Sequence, residues 1–411
     1  YKKNKTLPEK GKNKAIAEWP CGGKWADYAL FIGTTLYGIV EAKKYATDIS
    51  TDLHQSKAYA EHILPKEEFQ FLGTWKNYKV PFLFSTNGRN YLEQIKTKSG
   101  IWFLDIRKDS NRAQALRGWF SPEGLIDLYD RNIENANTRL IESDYDYLES
   151  PSGLGLRYYQ IDAIKAVENK IINQPEDKRA LLVMATGTGK TRTVIGLAYR
   201  FIKANRFKRI LFLTDRRLLA IQAIGNFKDN KIKNLNTFED DYKLEGLKTN
   251  IPDDITRLHF ATVQSMVKRL FYSDNETLPI DTYDCIIIDE AHRGYNLDKE
   301  IDESDLFFKD ENDYVGQYKR VIEYFNAYII GLTATPALHT TQIFGNPVHN
   351  YSYREAVIDG FLTDHEPPYL LKTKLSEEGI LWEKGEKPKV YIAETNTIEE
   401  LAELEDELHI E

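Results

Sequence analysis

The chain has 411 residues, of which 42% are hydrophobic and 29% are charged, and its formal net charge is −8. This length predicts two or three domains, at about 150 residues each. The composition excludes a disordered chain and a membrane-embedded one. Because no apolar run approaches the roughly 18 residues that a spanning helix needs, we expect no membrane partner.

The two cysteines, Cys21 and Cys285, lie far apart and outside any CxxC spacing. They support neither a disulfide framework nor a structural zinc site, and they favour a reducing compartment. Residues 394–411 carry eight carboxylates and no Lys or Arg, so the rest of the chain is neutral. A neutral total gives no argument for nucleic-acid binding from charge alone, and the lysine-rich start of the chain is typical of a solvated arm.

Residues 1–110 predict an α/β or α+β domain. Short strands are expected at 28–32, 36–40, 82–85 and 101–104, and one helix at 51–63. Residues 111–152 contain Pro122, Gly124 and Pro151 and predict a connector with some helix.

Over residues 153–365, helical patterns alternate with apolar strands at 180–184, 209–213, 258–261, 285–288 and 328–331. This alternation predicts a doubly wound parallel sheet, whose ligands bind at the carboxyl ends of the strands. Residues 366–411 are polar and acidic, and we expect them to lead towards a second lobe that is absent or incomplete.

A glycine-rich segment, Met184-Ala-Thr-Gly-Thr-Gly-Lys-Thr191, follows one apolar strand and precedes a helix. Such a loop presents backbone N–H groups to phosphates, so we assign ATP to it. Lys190 is expected to reach the β and γ phosphates, and the Thr191 hydroxyl to bind Mg²⁺. The residues predicted to contact the nucleotide here are Thr186, Gly187, Thr188, Gly189, Lys190 and Thr191. Met184 replaces the first glycine of the strict pattern.

Two adjacent carboxylates, Asp289 and Glu290, follow the apolar strand at 285–288. Asp289 is predicted to hold Mg²⁺ and Glu290 to polarise the attacking water, while His292 in the same segment is expected beside the nucleotide. Two acids could also simply end a strand, but the phosphate loop upstream favours the catalytic interpretation.

The order of these motifs over residues 156–336 resembles that of superfamily 2 helicases and translocases. Arg157-Tyr-Tyr-Gln160 is similar to the Q motif, which implies that Gln160 contacts adenine. Phe212-Leu-Thr-Asp-Arg216 and Ala261-Thr-Val-Gln-Ser265 are similar to motifs Ia and Ib, which implies DNA contacts. Gly331-Leu-Thr-Ala-Thr-Pro336 resembles motif III, which implies coupling of hydrolysis to DNA movement. The residues carrying these roles are Arg216, Thr262, Gln264, Thr333 and Thr335. Taken singly, each could be an ordinary surface or strand-end residue.

A second cluster lies near the start of the chain. Asp27 and Glu41 are expected on neighbouring strands of a hairpin, and Lys43 shares the strand face of Glu41. Two carboxylates can hold a divalent cation that acidifies a water, while the lysine stabilises developing negative charge. Gln55 and Tyr59, four residues apart, share one face of the following helix. An exposed salt bridge would also explain Glu41 and Lys43.

Together these five residues resemble the PD-(D/E)xK nuclease core with its QxxxY extension, although Ala26 stands where the pattern has proline. Glu18, which is predicted on a helix before the hairpin, is a possible extra acid but is more typical of a structural residue.

A nuclease core that precedes a superfamily 2 motor resembles the restriction (R) subunit of type I restriction enzymes, and the likeness covers nearly the whole chain. Type III subunits carry the nuclease after the motor. The resemblance implies a cytoplasmic endonuclease that uses ATP and Mg²⁺, translocates on double-stranded DNA and binds modification and specificity subunits. The alternatives are a DNA repair or antiphage helicase-nuclease without a methyltransferase partner, and a non-enzymatic DNA-binding scaffold with degenerate sites.

Overall fold

The structure, a computed structural model, describes residues 1–49, 53–92, 95, 99–272, 277–291, 311–336, 338–365, 380–392, 397–400 and 408–410. The chain divides into two compact units, Tyr1–Leu362 and Thr363–Glu411. The first unit contains a mixed sheet and a parallel sheet, which confirms the predicted α/β class.

The mixed sheet has seven strands and one helix against its outer face. Its elements are β1 (Asn13–Cys21), β2 (Lys24–Ile32), β3 (Thr35–Ala42), α1 (His54–His62), β4 (Gln70–Phe71), β5 (Phe82–Thr86), β6 (Ile101–Asp105) and β7 (Gln114–Leu116). The strand order is β1-β2-β3-β5-β6-β7, with β4 beside β3. Neighbours are antiparallel, except that β3 runs parallel to β4 and to β5.

The sequence predicted β2, β3, β5, β6 and α1, but it did not predict β1, β4 or β7. The helix expected at Glu18 is wrong, because Glu18 lies in β1. Its φ of 52° is left-handed, and its neighbours pair as Ala17–Tyr28 and Trp19–Ala26. The left-handed residue shifts the phase of the strand, so its buried side chains do not follow a strict period of two.

The connector is more helical than predicted. It contains α2 (Pro122–Asp130), α3 (Ile133–Glu142) and α4 (Asp146–Glu149). Ser121 and Asn132 cap the first two helices, since their side chains accept hydrogen bonds from the N–H groups of Gly124 and Asn135. Such caps satisfy N–H groups that a helix leaves unpaired at its start.

The parallel sheet follows the connector. Its elements are α5 (Tyr158–Asn173), β8 (Arg179–Met184), α6 (Lys190–Lys203), β9 (Ile210–Thr214), α7 (Arg217–Asp229), β10 (Lys231–Lys233), β11 (Asn236–Thr237), α8 (Phe238–Asp241), β12 (Leu244–Glu245), β13 (Leu258–Thr262), α9 (Val263–Phe271), β14 (Cys285–Ile288), α10 (Glu311–Tyr324), β15 (Tyr328–Thr333), α11 (Leu338–Phe344), β16 (His349–Tyr351) and α12 (Tyr353–Ile358). The strand order is β12-β13-β9-β14-β15-β8-β16, all parallel, and β10 pairs with β11 apart from it. The five predicted strands are confirmed.

One apolar core joins the two sheets. Phe82, Phe84 and Phe103 on the inner face of the mixed sheet belong to the same buried cluster as Leu211 and Ile286 of the parallel sheet. The outer face of the mixed sheet has its own core, which includes Trp19, Phe31 and Tyr59. The division into residues 1–110, 111–152 and 153–365 stays a prediction, because the contacts place all three in one compact unit.

The second unit contains two antiparallel pairs among its described residues. These strands are β17 (Ile380–Trp382), β18 (Lys389–Ile392), β19 (Thr397–Glu400) and β20 (Leu408–Ile410), with β17 paired to β20 and β18 to β19. Most of the acidic segment predicted at 366–411 lies outside the described residues. Across the described parts of both units, no helix has the length and apolar character needed to cross a bilayer.

Candidate functional site

The N-terminal cluster forms at the carboxyl end of β3. The strand pair Tyr28–Val40 places Asp27 and Glu41 side by side on β2 and β3. One carboxylate oxygen of Asp27, Oδ2, accepts the Ala42 N–H at 2.8 Å. Glu41 is only 1% exposed. The antiparallel register therefore brings the two predicted metal ligands together at one edge of the sheet.

Lys43 connects these carboxylates to the helix behind them. Its ammonium forms an ion pair with Glu41 and donates a hydrogen bond to Gln55 Oε1 at 2.8 Å. Gln55 Nε2 in turn donates to the Tyr59 hydroxyl. Burial raises the pKa of the Tyr59 phenol, so it stays protonated at neutral pH. The structure thus places four of the five predicted residues in one polar chain, with Asp27 on the neighbouring strand.

The donor set fits a small, hard cation. Glu41 Oε1 is buried and, apart from its ion pair with Lys43, accepts no hydrogen bond from a described residue. No group of three or more His, Cys, Asp or Glu side chains within the described ranges could enclose a metal. Two carboxylates with open positions suit Mg²⁺, which keeps several of its waters. Such an ion would polarise a phosphate and acidify a water.

Ser85, which was not predicted as a site residue, donates its hydroxyl hydrogen bond to Glu41 Oε2 at 3.4 Å. Ser85 lies on β5 directly opposite Glu41 in the parallel pair. A buried serine within the apolar segment 82–86 was the available signal. The partner of that serine depends on the pairing of β3 with β5, which local sequence does not encode.

The glycine-rich loop joins β8 to α6. Gly187 and Gly189 adopt left-handed φ angles of 85° and 83°, a conformation that glycine reaches without a steric cost. A Cβ on Gly189 would lie 2.6 Å from Gln160 Nε2. Thr188 is buried, and its hydroxyl donates to the Ala185 carbonyl at 2.6 Å. The loop is therefore held in shape from within, while Thr186 remains exposed.

Gln160 braces this loop. Its Nε2 donates to the carbonyl oxygens of Gly189 at 3.1 Å and Thr188 at 3.3 Å. Its Oε1 accepts the Arg157 N–H at 2.8 Å. The side chain is only 4% exposed. Contact with adenine stays a prediction, and the hydrogen bonds in place give Gln160 a structural task in the loop.

Lys190 and the two acids after β14 face each other. Lys190 Nζ lies 3.8 Å from Glu290 Oε1 and donates to the Met184 carbonyl at 3.4 Å. Burial, with the neighbouring Glu290 charge, raises the pKa of Asp289 to about 6. Two carboxylates beside one ammonium leave an excess of negative charge, which a divalent cation would balance. The residues therefore fit Mg²⁺ together with a triphosphate.

Two further predicted residues belong to this region. Thr191 is the second residue of α6 and is partly exposed, so its hydroxyl is available beside the loop. His292 lies outside the described residues, and its role stays a prediction.

The same loop has a cover that sequence analysis missed. A Cβ on Gly187 would lie 3.1 Å from Leu362 Cδ2. Leu362 follows α12, and its N–H donates to the Ala356 carbonyl at 3.0 Å. No local pattern links these two distant positions, so only the folded chain brings them together.

The remaining predicted residues follow neighbouring parallel strands. Arg216 follows β9 beside Asp215, with 3.8 Å between Nε and Oδ2. Thr262 ends β13, and its hydroxyl accepts the Ser265 N–H at 3.2 Å to cap α9, which also carries the partly exposed Gln264. These positions share one edge of the sheet with the nucleotide loop, because parallel strands align their carboxyl ends. Their contacts with DNA stay predictions.

The two threonines predicted to couple hydrolysis to DNA movement lie at the end of β15, which stands between β14 and β8 in the strand order. Thr333 is fully buried, and its hydroxyl accepts the Thr335 N–H at 3.2 Å. Thr335 is exposed at the same edge. A buried hydroxyl that shapes the turn and an exposed one beside it agree with a coupling role, which stays a prediction.

Comparisons with known proteins match both parts of the chain. Residues 1–129 match the family described as "Type I restriction enzyme EcoKI endonuclease subunit second domain", and residues 153–338 match "Type III restriction enzyme, res subunit". The chain is 45% identical over 409 residues to the type I restriction enzyme EcoKI endonuclease subunit of Escherichia coli strain K12, covering 92% of this chain and 34% of that protein.

The EcoAI endonuclease subunit of Escherichia coli is 29% identical over 338 residues, which are 80% of this chain and 35% of that protein. A solved SWI2/SNF2 ATPase core of Sulfolobus solfataricus in complex with double-stranded DNA is 18% identical over 47% of this chain and 36% of its own, with a TM-score of 0.33. The chain spans about a third of the length of the curated relatives it matches. With both segments matched and 45% identity over nearly its whole length, the chain belongs to the family of type I restriction enzyme endonuclease subunits.

Proposed function

We propose that this chain is the nuclease and first motor lobe of an endonuclease subunit that hydrolyses ATP to move along double-stranded DNA and cuts it with Mg²⁺. The observation that supports the proposal is that two separate clusters of residue types suited to phosphate chemistry form in one compact unit. One is the carboxylate and lysine cluster on β2 and β3, and the other is the loop before α6 with the acids after β14.

At the nuclease site, Asp27 and Glu41 would hold Mg²⁺, which polarises the scissile phosphate when bound. Lys43 would position the attacking water and stabilise the charge that develops on the phosphate. Gln55 keeps the Lys43 ammonium in place, and Tyr59 holds Gln55. Because these contacts already fix the ammonium, little reorganisation is needed when DNA arrives.

At the motor site, Lys190 would neutralise the β and γ phosphates, while Thr191 and Asp289 would hold Mg²⁺. Glu290 lies where it can polarise a water, and the backbone N–H groups of the loop would bind phosphate oxygens. Thr333 and Thr335 would couple ATP hydrolysis at this site to DNA movement along the edge of the sheet. Arg216, Thr262 and Gln264 lie at that edge and would contact the DNA.

The family suggests the setting in which these sites work. Its members are named as endonuclease subunits of type I restriction enzymes, so we propose modification and specificity subunits as partners and the cytoplasm as the location. The DNA target would then be recognised by another subunit rather than by this chain.

The test uses the natural polypeptide with the subunits that copurify with it. Glu41→Ala should abolish plasmid cleavage in Mg²⁺ and ATP but leave phosphate release from ATP intact. Lys190→Ala should lower ATP hydrolysis at least about 100-fold, as expected for one preorganised electrostatic contact, and cleavage that needs translocation should fall with it.

Matched controls are Glu134→Ala and Lys228→Ala, which remove exposed charges far from both sites. Both should behave as the unmodified protein. Cleavage by Glu41→Ala at the unmodified rate would disprove the nuclease assignment, and normal ATP hydrolysis by Lys190→Ala would disprove the motor assignment. An unmodified complex without either activity would favour a non-enzymatic scaffold.

A further inference from the structure

Two loops meet beside the nuclease carboxylates. The first follows β3 and carries Lys43, and the second follows β5, the strand of Ser85. The Lys43 N–H donates to the Thr86 carbonyl at 2.8 Å, and Asn87 Nδ2 donates to the Thr47 carbonyl at 2.8 Å. These bonds hold the two loops together as one wall at the carboxyl ends of the strands that bear Glu41 and Ser85.

Tyr45 is exposed on this wall, and Arg89 beside it is half-buried. The Tyr45 side chain is 71% exposed, the greatest exposure among the tyrosines identified as exposed large hydrophobic residues. The guanidinium carbon of Arg89 lies 5.4 Å from the centre of its ring. Among the described residues, no carboxylate lies within ion-pair distance of Arg89. An aromatic ring and a guanidinium with free donors are therefore displayed together.

The backbone fixes the position of Arg89. Its N–H donates to Asn87 Oδ1 at 3.1 Å, and its carbonyl accepts the Gly100 N–H at 3.1 Å. Gly88, with φ of 73°, makes the turn that leads into it. The main chain of Arg89 is therefore held in place before a ligand binds. This limits the conformational entropy lost on binding.

The chemistry of the pair suits a nucleic acid strand. A guanidinium binds phosphate oxygens through paired donors, and an exposed aromatic ring stacks on nucleobases of any sequence. Lys44, which is exposed, adds positive charge on the same loop, and Asp48 opposes it. An exposed cation–π contact contributes little to the stability of a fold, so stability alone does not explain why the Tyr45 ring is left in water.

We propose that Tyr45 and Arg89 hold the DNA strand at the nuclease site: Arg89 binds a phosphate next to the scissile one, and Tyr45 stacks on a nucleobase beside the cut. Both are positioning residues, since neither contacts the reacting atoms. The inference rests on the proposed nuclease function and identifies the residues that bind the DNA strand beside that site.

The experiment uses the natural polypeptide with its copurifying subunits and a supercoiled plasmid as substrate. Tyr45→Ala and Arg89→Ala should slow cleavage at least about fivefold, the lower end of the loss seen when one stacked base is released. The loss should lie mainly in KM for DNA, because the metal site is intact. ATP hydrolysis should not change. Tyr45→Phe should restore cleavage, since it keeps the stacking ring.

Arg89→Ala should also reduce the salt dependence of cleavage, with the slope against log salt falling by roughly one phosphate contact. Arg112→Ala, which removes an exposed arginine elsewhere in the same part of the chain, and Tyr272→Ala on the motor lobe are matched controls. Neither should alter cleavage or its salt dependence. A thermal unfolding midpoint measured for each variant separates weak binding from loss of fold.

Cleavage by both alanine variants with the unmodified KM and salt slope would overturn the inference. If Tyr45→Phe were as impaired as Tyr45→Ala, stacking by Tyr45 would be excluded. Glu41→Ala distinguishes a failure of the proposed nuclease function from a failure of the proposed strand contact. If it cuts as well as the unmodified protein, the nuclease function itself fails, whereas an inactive Glu41→Ala beside fully active Tyr45 and Arg89 variants rejects only the strand contact.

Discussion

Arg200 offers a test of how the connector is joined to the motor lobe. It lies on α6, the helix that begins at Lys190, and is only 2% exposed. Its Nε and Nη2 donate to the two carboxylate oxygens of Glu168 on α5 at 2.6 and 3.1 Å. Its guanidinium also donates to the carbonyls of Leu140 and Asp144 at 2.9 Å. One side chain therefore holds two helices and the end of the connector.

We expect Arg200→Met to lower the free energy of unfolding by about 3–5 kcal/mol. Methionine keeps much of the volume but leaves the Glu168 carboxylate buried without a cation, and breaking such a pair typically costs this amount. Glu168 retains its hydrogen bond from the Tyr145 hydroxyl, but a phenol cannot balance a full charge. In the double variant Arg200→Met with Glu168→Met, about half of the loss should be recovered, because no charge remains buried.

The double variant should still be less stable by about 1–3 kcal/mol, the cost of connector carbonyls that lose their donors. The assay is urea unfolding of the 411-residue chain followed by circular dichroism, with the four members of the cycle compared at one pH. Lys228→Met is the matched control, since its pair with Glu239 is exposed and should contribute at most about 1 kcal/mol. A loss below 1 kcal/mol in Arg200→Met would refute the reasoning.

Two further outcomes follow from single buried groups. Burial, with the charge of Arg269, lowers the pKa of His259 from 6.5 to about 4, so the unfolded chain takes up a proton at a higher pH than the folded one. The free energy of unfolding should therefore fall as pH drops from 6.5 to 4, by roughly 3 kcal/mol in all, and His259→Gln should flatten this part of the profile measured by urea unfolding. Gly124→Ala should destabilise the chain by about 1–3 kcal/mol, because its Cβ would lie 2.2 Å from the Asp281 carboxyl carbon. The control is Gly316→Ala, whose Cβ would meet nothing within 4 Å. If these two variants had equal unfolding midpoints, the close packing of Gly124 against Asp281 would be contradicted.

The sequence predicted features that depend on local patterns. Buried parallel strands such as β14 are continuous apolar runs, and the loop at Gly187 and Gly189 follows from the backbone that a phosphate requires. The pairing of Asp27 with Glu41 was accessible too, since a hairpin of two adjacent strands fixes its own register. These features need no information from distant parts of the chain.

Other features depend on tertiary contacts or on the backbone angle of a single residue. The phase shift at Glu18 depends on one left-handed residue, and the contact of Ser85 with Glu41 depends on β3 pairing with β5. The cover that Leu362 forms over Gly187, and the use of the Gln160 amide inside the loop, join segments far apart in sequence. Local periodicity carries no record of such partners.

The apolar core shared by the two sheets limits which segments of this chain can be replaced by the corresponding segments of a relative. One family match ends at residue 129 and the other begins at residue 153. From sequence alone, the connector between them would be chosen as the joint for a hybrid protein. Cutting out residues 1–129 would expose Phe82, Phe84 and Phe103, and the parallel sheet would lose the same apolar cover. A hybrid protein joined at the connector would therefore have a poorly packed core between the two sheets, unless the core residues of both sheets came from the same relative. In this chain, residues 1–129 and 153–338 share one apolar core, although their sequences match two different family models.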